Sequence, residues 1–235
     1  MTNRIFIVIP TYNEKNNIDK LLIEIFELNK NINILVVDDN SPDDTAGEVK
    51  KIQTNYPNQL FLLKRSGKLG LGSAYRQGFE CCLKMGAEVV GEMDADFSHQ
   101  PKDLIRLIKE VEGGAEVVIG SRRVEGGQII GWNWWRKFMS SGANSFSRIV
   151  LGLKTKDVTA GFRLYTKNAL AKMPWATIKT NGYAWQEEMV YWAEKNNLLI
   201  KEVPVIFIDR KVGTSKLNSK DIVDFFVTVI RLLVK

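Results

Sequence analysis

Two carboxylates one residue apart, Asp94 and Asp96, are the side chains whose type and spacing point most directly to chemistry. They follow the apolar run 87–91 and precede Pro101, a residue typical of the start of a helix. Hard cations such as Mg²⁺ or Mn²⁺ bind oxygen ligands, commonly one or two carboxylates together with substrate phosphates. The segment therefore predicts a metal–phosphate site. Taken alone, it fits an acidic turn that caps the next helix equally well.

Two further motifs are weaker. The glycine-rich stretch 67–72 has the order G-x-x-G-x-G, which matches neither the dinucleotide fingerprint nor the P-loop. It predicts a flexible loop that packs against a nucleotide or against its own sheet. His99 is the single histidine, so no convincing catalytic triad can be assembled around it. A polar residue near a helix start explains His99 at least as well as a ligand does.

Composition and charge describe an ordinary globular protein with an uneven charge distribution. The chain has 235 residues, 45% of them hydrophobic and 26% charged, with a net charge of +6. Residues 1–121 carry 14 basic and 18 acidic side chains (net −4), and residues 122–235 carry 19 and 9 (net +10). This asymmetry predicts a phosphate-rich ligand, an anionic surface or both. Simple solvation of the helices in the second half is the alternative for most of these charges.

Cysteine usage and apolar runs bear on the compartment. Cys81 and Cys82 are adjacent on a predicted helix, so they cannot form a disulfide framework, and a reducing, cytosolic compartment is the expectation. The N-terminal apolar run 5–9 is too short for a signal peptide, and no run approaches the roughly 20 apolar residues of a membrane span.

The elements that must position these residues form an alternating pattern. Strands are predicted at 4–10, 32–37, 60–63, 89–93 and 117–121, and helices follow the first four of them, including 73–85 and 102–112. Five such alternations indicate an α/β fold with a doubly wound, mostly parallel sheet. In these sheets ligands bind at the carboxyl ends of the strands. The loops 11–14, 38–44 and 94–99, and the segment from Arg122 onward, should therefore be functional.

After Gly120 the alternation fails. The sequence predicts a helix from 137 to about 150, a loop at 157–163 that leads into a short extended segment, and a helix to about 195. A strand-like segment at 199–208, a basic loop at 210–216 and a strongly apolar helix at 219–234 follow. Since no linker or repeat interrupts the chain, we predict a single domain over residues 1–235. It would divide into residues 1–121, residues 122–218 and the C-terminal helix (219–235).

Seven motifs in order give the chain a resemblance to a known family. They are residues 8–14, 36–43, 69–72, 94–99, 120–122, 161–163 and 209–216. With them the chain resembles the family 2 glycosyltransferases of GT-A fold, and within these the dolichol- or polyprenol-phosphate mannose synthases. The Gln-x-x-Arg-Trp signature of processive polysaccharide synthases is absent from the stretch Trp185–Met189.

The resemblance implies that residues 1–121 form a nucleotide-sugar half and residues 122–218 an acceptor half, and it implies roles for individual residues. The residues implied to bind the sugar donor are Pro10, Tyr12, Glu14, Val37, Asp39, Asp94, Ala95, Asp96, Arg122, Arg210 and Lys216. Asp94 and Asp96 would hold Mg²⁺ or Mn²⁺, with Asp96 as the direct ligand. Ser98 stands where some relatives have a glutamine near the metal. The acceptor phosphate would contact Arg122, Arg136 and Ser140, and the catalytic set would be Asp96, Arg122 and Arg136.

The implied reaction is inverting transfer of mannose from GDP-mannose to dolichyl or polyprenyl phosphate. Another donor, such as UDP-glucose, and a catalytically silent, membrane-recruited binding module remain alternatives. The expected location is peripheral, on the cytoplasmic face of a membrane, and no nucleic-acid partner is expected. Trp132, Trp134 and Trp135 fit an interfacial patch, and a core position for two of them fits equally well. The last helix would pack on the core, lie on the bilayer or meet a membrane-anchoring partner subunit.

Overall fold

A computed structural model describes residues 4–28, 31–180, 182, 184–209 and 219–234. The strands are β1 (Ile5–Thr11), β2 (Ile32–Asp38), β3 (Leu60–Lys64), β4 (Val89–Glu92), β5 (Val117–Ser121), β6 (Gln128–Ile130), β7 (Arg163–Thr166), β8 (Ile200–Pro204) and β9 (Ile206–Ile208). The helices are α1 (Lys15–Leu28), α2 (Thr45–Gln53), α3 (Leu71–Lys84), α4 (Asp103–Glu112), α5 (Trp134–Leu151), α6 (Lys167–Lys172), α7 (Trp185–Lys195) and α8 (Ser219–Leu233), with a short 3-10 helix at Trp175–Thr177.

A seven-stranded sheet in the order β3-β2-β1-β4-β7-β5-β8 forms the centre of the described structure. The first strands are parallel: β1 pairs in parallel with both β2 and β4, and β2 pairs in parallel with β3. Every residue of β2 is buried, which explains its continuous apolar run, since helices cover both faces of the sheet. The prediction of an α/β fold with a mostly parallel sheet is confirmed.

Strand β7 is the exception to the parallel arrangement. It lies between β4 and β5 and is antiparallel to both, so the fourth and fifth strands of the predicted alternation are not neighbours. The sequence analysis anticipated an extended segment here but not its position in the sheet. Gly91 of β4 shows how closely β7 packs, because a Cβ at this position would lie 2.5 Å from Leu164 Cδ2.

The second half of the chain places two helices beside this sheet. Helix α5 begins three residues earlier than predicted, because the Asn133 side chain caps it by accepting a hydrogen bond from the Arg136 amide at 2.8 Å. Helix α8 packs against α5 and α7 through Thr228, Val229 and Leu232, which are buried. Its Arg231 pairs with the buried carboxylate of Glu188 at 2.6 Å. Helix α8 is therefore docked on the body of the protein.

Two expectations about the chain as a whole can be compared with the structure. Both cysteines are free, as their adjacency predicts. In the part of the chain that the structure describes, no helix combines the length and the apolar character needed to cross a membrane.

Candidate active site

The loops that follow β1 and β2 form one continuous surface at the carboxyl edge of the sheet. The Thr11 hydroxyl donates to Asp38 Oδ1 at 3.0 Å, and the Asn13 amide donates to the Ser41 hydroxyl at 3.1 Å. The Glu14 amide donates to Thr45 Oγ1 at 3.0 Å. The bonds from Asn13 and Glu14 satisfy backbone N–H groups that would otherwise lack partners beyond the end of β1. They fix the two loops in one arrangement, as the parallel alternation predicts.

Arg65, which the sequence analysis did not single out, connects this surface to the glycine-rich stretch. Its Nε donates to Asp39 Oδ1 at 2.5 Å, and its terminal nitrogens donate to the Ser73 hydroxyl and to the Gly70 carbonyl at 2.6 and 3.2 Å. The Lys68 ammonium lies 5.2 Å from the centre of the Tyr12 ring. Residues 67–72 thus pack beside the strand-end loops. A basic residue directly after β3 was the signal available in the sequence.

The predicted donor-binding residues of the first half are unequally exposed. Pro10 and Tyr12 are half-buried, while Glu14 and Asp39 lie at the margin of the core with 9% and 7% exposure. Val37 has no exposed surface and packs in the apolar cluster beneath α3. Its side chain therefore belongs to the core rather than to the pocket wall.

The two carboxylates of the acidic motif follow β4 and have different surroundings. The Asp94 side chain is 38% exposed, and its Oδ2 lies 3.4 Å from Nε2 of the buried His99. Asp96 Oδ1 accepts a hydrogen bond from the Ser98 amide at 3.0 Å, whereas Ala95 between them is buried. The His99 ring stacks on Phe162 at a centroid distance of 5.0 Å. Packing around His99 explains its burial without a ligand role.

The donor set suits a cation that shares its coordination sphere with a substrate. Among the described residues, no group of three or more His, Cys, Asp or Glu side chains has the geometry of a metal site. Two carboxylates fit Mg²⁺ or Mn²⁺ when substrate phosphates and water complete the sphere. Ser98, the third predicted ligand, is 1% exposed, and its hydroxyl has no hydrogen-bond partner in the described chain. Its role as a third metal ligand stays a prediction.

A buried polar network includes Glu92, which lies two residues before Asp94. Glu92 accepts from Trp185 Nε1 at 2.8 Å, and burial raises the pKa of Glu92 to about 7. The fully buried Arg163 donates to the backbone carbonyls of Gln186 and Val158 at 2.6 and 2.8 Å. Burial likewise raises the pKa of Glu187, which accepts from the Ser147 hydroxyl at 2.8 Å, to about 8. The network joins β4, β7, α5 and α7.

Arg122 lies across from the acidic motif and is held by a carboxylate that the sequence analysis missed. The Arg122 guanidinium donates to both oxygens of Asp157 at 2.8 and 2.7 Å and to the Thr159 hydroxyl at 2.8 Å. Burial opposes ionisation of Asp157, but Arg122 outweighs it and holds the pKa of Asp157 at about 2. For Arg122, burial lowers the pKa, while Asp157 and, more weakly, Asp94 raise it above its ordinary value. Arg122 and Asp94 therefore interact electrostatically.

The predicted acceptor residues Arg136 and Ser140 share α5 but have separate partners. Arg136 Nη1 lies 2.9 Å from each oxygen of Asp209, and its guanidinium carbon lies 4.2 Å from the centre of the Trp132 ring. The Ser140 hydroxyl instead accepts a hydrogen bond from Arg123 at 3.0 Å. Arg123 was not among the predicted site residues, although it directly follows Arg122. Two predicted donor residues, Arg210 and Lys216, lie outside the residues that the structure describes.

Comparison with known proteins assigns the chain to a family. Residues 6–173, which include the strand-end loops, the acidic motif and Arg122, match the family described as glycosyl transferase family 2. The chain is a family 2 glycosyltransferase.

Two relatives resemble this glycosyltransferase over most of its length. Polyprenol monophosphomannose synthase of Mycolicibacterium smegmatis is 38% identical over 94% of the chain and 83% of its own length. Undecaprenyl-phosphate mannosyltransferase of Micrococcus luteus is 38% identical over 97% of the chain and 93% of its own length.

Solved structures show the same fold at low sequence identity. Glucosyl-3-phosphoglycerate synthase from Mycobacterium tuberculosis in complex with UDP has a TM-score of 0.70 at 16% identity, and the match covers 99% of this glycosyltransferase and 80% of that protein. A mannosyltransferase from Pyrobaculum calidifontis in complex with GDP-Man and Mn²⁺ has a TM-score of 0.63 at 17% identity, covering 98% and 65%.

Proposed function

We propose that this glycosyltransferase moves a mannosyl group from GDP-mannose to a polyprenyl or dolichyl phosphate, with inversion at the sugar carbon. The observation that carries the proposal is the 38% identity to two relatives named for transfer to a polyprenyl phosphate, over 94% and 97% of the chain. The similarity spans both the acidic first half and the basic second half. We propose one catalytic domain over residues 1–235, with the donor bound by 1–121 and the acceptor by 122–218.

The donor would lie across the strand-end loops. The nucleoside would contact the surface formed by Tyr12, Glu14 and Asp39, and the diphosphate would face Asp94 and Asp96. A divalent cation bound there, Mg²⁺ or Mn²⁺, would neutralise charge on the leaving diphosphate. Arg122 would add a fixed positive charge, since its ion pair with Asp157 orients the guanidinium before substrate arrives. Arg210 and Lys216 are proposed to add further positive charge at the diphosphate.

The acceptor requires little help from a general base. The second pKa of a phosphate monoester is near ~6, so much of it is already dianionic at neutral pH. The task of the protein is to bring one phosphate oxygen to the sugar carbon, opposite the departing diphosphate. A basic second half suits this task, because arginine forks match the geometry of phosphate oxygens. Direct attack from the opposite side leads to inversion.

An apolar surface provides a route to a membrane-borne acceptor. Helices α5 and α8 expose large apolar side chains that are between 41% and 74% accessible: Trp134, Trp135, Phe138, Met139, Val223, Phe226, Val227, Ile230 and Leu233. Exposed apolar surface on this scale is typical of membrane or protein contacts. We propose that this surface, hereafter the α5–α8 surface, contacts the cytoplasmic face of a membrane. A membrane-anchoring subunit on the same surface is the alternative that the next experiment separates.

The test is a radiolabel transfer assay with a short polyprenyl phosphate in defined liposomes, without any other protein. We expect transfer from GDP-mannose that stops with EDTA and returns with Mn²⁺ or Mg²⁺. Preference for UDP-glucose would refute the donor assignment, and donor binding without transfer would point to a silent binding module. Transfer that requires an added membrane extract, rather than lipid alone, would support a partner subunit.

A further inference from the structure

Gln186, the second residue of α7, places an amide among the buried polar groups beside the acidic motif. The residue is 2% exposed, and neither Nε2 nor Oε1 forms a hydrogen bond with another described residue. Burial raises the pKa of Glu92 to about 7, while Arg163, Trp185 and the Gln186 amide oppose that rise, so the amide lies near Glu92 without reaching hydrogen-bond geometry. Leaving a buried amide unpaired costs free energy, which a ligand with a hydrogen-bonding group would recover.

An open space lies between Gln186 and the acidic motif. A Cβ built on Gly161 would lie 3.7 Å from Gln186 Nε2 and 3.8 Å from Asp94 Oδ2. Apart from Gly161 and its chain neighbours, no other atom of the described residues lies within 4 Å of that point. A group the size of a methyl therefore fits there at ordinary van der Waals distances. Gly161 is half-buried and the Asp94 side chain is 38% exposed, so the space can be reached from solvent.

The two atoms that border this space have opposite hydrogen-bonding roles. Nε2 of Gln186 donates, whereas Oδ2 of an ionised Asp94 accepts. A hydroxyl group suits both, because it donates one proton and accepts through its lone pairs. A phosphate dianion lacks the proton that the carboxylate would accept. Since Asp94 belongs to the motif proposed to face the donor diphosphate, the hydroxyl groups nearest to this space are those of the sugar joined to that diphosphate.

We propose that Gln186 binds a hydroxyl group of the transferred sugar, in the space that Gly161 leaves open beside Asp94. The inference rests on the proposed function and deepens it, because it names a residue that selects the sugar rather than the nucleotide. The sequence analysis placed Gly161 in a family motif but gave neither Gly161 nor Gln186 a role. The Gln186 carbonyl accepts from the buried Arg163 at 2.6 Å, which fixes the backbone that carries the amide before the donor binds.

The first test compares Gln186→Leu with the unaltered protein on GDP-mannose and on GDP-mannose analogues that each lack one sugar hydroxyl. In the unaltered protein, one analogue should lose roughly 5- to 100-fold in kcat/KM, because it leaves the buried amide unpaired. Gln186→Leu should use that analogue within about 2-fold of GDP-mannose and keep the discrimination against the others. Equal losses on GDP-mannose and every analogue, or unchanged discrimination throughout, overturn the proposal.

The stability of Gln186→Leu separates a role in binding from a role in the fold. Replacing an unpaired buried amide by an apolar group of similar size should leave the unfolding temperature the same or raise it. A lower unfolding temperature together with unchanged discrimination would give Gln186 a structural role only. Gln77→Leu, the same substitution on the exposed face of α3, should leave GDP binding and transfer unchanged.

Gly161→Ala tests the space itself, independently of whether Gln186→Leu folds. The added methyl would meet Gln186 and Asp94 only at van der Waals distance, so the unfolding temperature should not change. We expect transfer to fall at least about 10-fold while GDP binds within about 2-fold of normal, because the methyl occupies the place of the sugar hydroxyl. Normal transfer by Gly161→Ala would overturn the proposal.

The outcome for Gln186 can be told apart from the outcome for the proposed function. If UDP-glucose proves to be the better donor, the assignment of GDP-mannose fails. The same comparison with deoxy analogues of UDP-glucose then decides the role of Gln186. If no donor supports transfer, calorimetric binding of these analogues to the unaltered protein and to Gln186→Leu replaces kcat/KM. Loss of the discrimination in Gln186→Leu supports the sugar contact in each case, and its persistence refutes it.

Discussion

Asp94 and Asp96 are chemically identical side chains in unequal environments. Asp94 faces solvent and His99, whereas Asp96 accepts a hydrogen bond from the Ser98 amide two residues on. That bond orients the Asp96 carboxylate within its own turn. An oriented carboxylate and an exposed one suit a cation whose remaining ligands arrive with the substrate.

Replacement of Asp96 by Asn should abolish metal-dependent transfer and leave the fold intact. The amide keeps the shape and an acceptor oxygen for the Ser98 amide but loses the negative charge that attracts the cation. We expect turnover to fall by at least about 100-fold, on the order of 3 kcal/mol, with an unchanged unfolding temperature. Manganese titration of the activity measures the effect, and Glu112→Gln on the exposed end of α4 serves as a control. Normal turnover in Asp96→Asn would remove this residue from the metal site.

Glu187 should make the stability of the protein depend on pH. Its pKa is raised from 4.5 to about 8 in the folded state, so the folded state binds this proton more tightly than the unfolded state. The stabilisation is complete below the unfolded pKa and is lost as the pH rises through about 8. Glu187→Gln cannot ionise, so we expect it to be more stable than the unaltered protein at pH 8.5, by on the order of 1–3 kcal/mol, and near parity at pH 4.5, the unfolded pKa. Urea unfolding at both pH values measures this, and a difference independent of pH would contradict it.

Arg136 on α5 forms an ion pair with Asp209, which lies 73 positions further along the chain. Its position on α5 brings it to Asp209, which follows β9 and directly precedes the basic residues 210–216 in the sequence. The side chain is 36% exposed, so a phosphate could replace Asp209 as its partner. The helix thus connects the side of the site proposed to bind the acceptor to the segment predicted to contact the donor.

Arg136→Ala should weaken use of the acceptor more than binding of GDP. Loss of a cation near the proposed acceptor path should raise the KM for the lipid phosphate roughly 10- to 100-fold, because charge-assisted hydrogen bonds of this kind contribute roughly 1.5–3 kcal/mol. Asp209→Asn is the matched comparison, since it breaks the same ion pair and leaves the arginine in place. Parallel losses of acceptor and GDP binding in Arg136→Ala would place its role at the donor loop.

Helix α8 has a docked face and an exposed face, and they require separate tests. Deleting residues 219–235 should reduce binding to liposomes, but it would also remove Val229 and Leu232 from the core and leave Glu188 without Arg231. Ile230→Lys changes only the exposed face, where Ile230 is 58% accessible. We expect it to reduce co-sedimentation with liposomes without lowering the unfolding temperature.

Leu232→Ala provides the opposite control on the same helix. It should lower the free energy of unfolding by about 2–5 kcal/mol because it leaves a cavity, while the folded protein still binds liposomes. If Ile230→Lys unfolds the protein, or binds liposomes normally, the exposed face of α8 is not the contact.

At the scale of the whole molecule, the division of charge accompanies the proposed division of the substrate sites between the two halves. The first half carries net −4 and holds the acidic motif, and the second half carries net +10 and holds Arg122, Arg123 and Arg136. A net positive half beside an apolar surface should favour membranes that contain anionic lipids.

Binding to anionic vesicles should therefore weaken as salt rises. Increasing NaCl from about 0.05 to 0.5 M shortens the Debye length from more than 10 Å to less than 5 Å and screens charges at the surface. Sedimentation with anionic and neutral vesicles measures the difference. An identical salt response for both would show that charge does not contribute to the contact.

Sequence alone determined the features that depend on local patterns. Apolar strands that end in polar loops, with amphipathic helices between them, predicted the parallel sheet, and the carboxyl-edge rule placed Thr11, Asp38 and Asp94 at one edge. These features follow from hydrophobic periodicity and backbone hydrogen bonding, which act over a few residues.

Tertiary structure decided which distant residues meet. Insertion of β7 between β4 and β5 depends on strand pairing across about 70 residues of chain. The ion pair of Arg122 with Asp157 and the contact of Arg123 with Ser140 and Ser141 bring together residues whose separation gives no periodic signal. Burial decided their energetics, because a charge removed from water must find a partner in the fold.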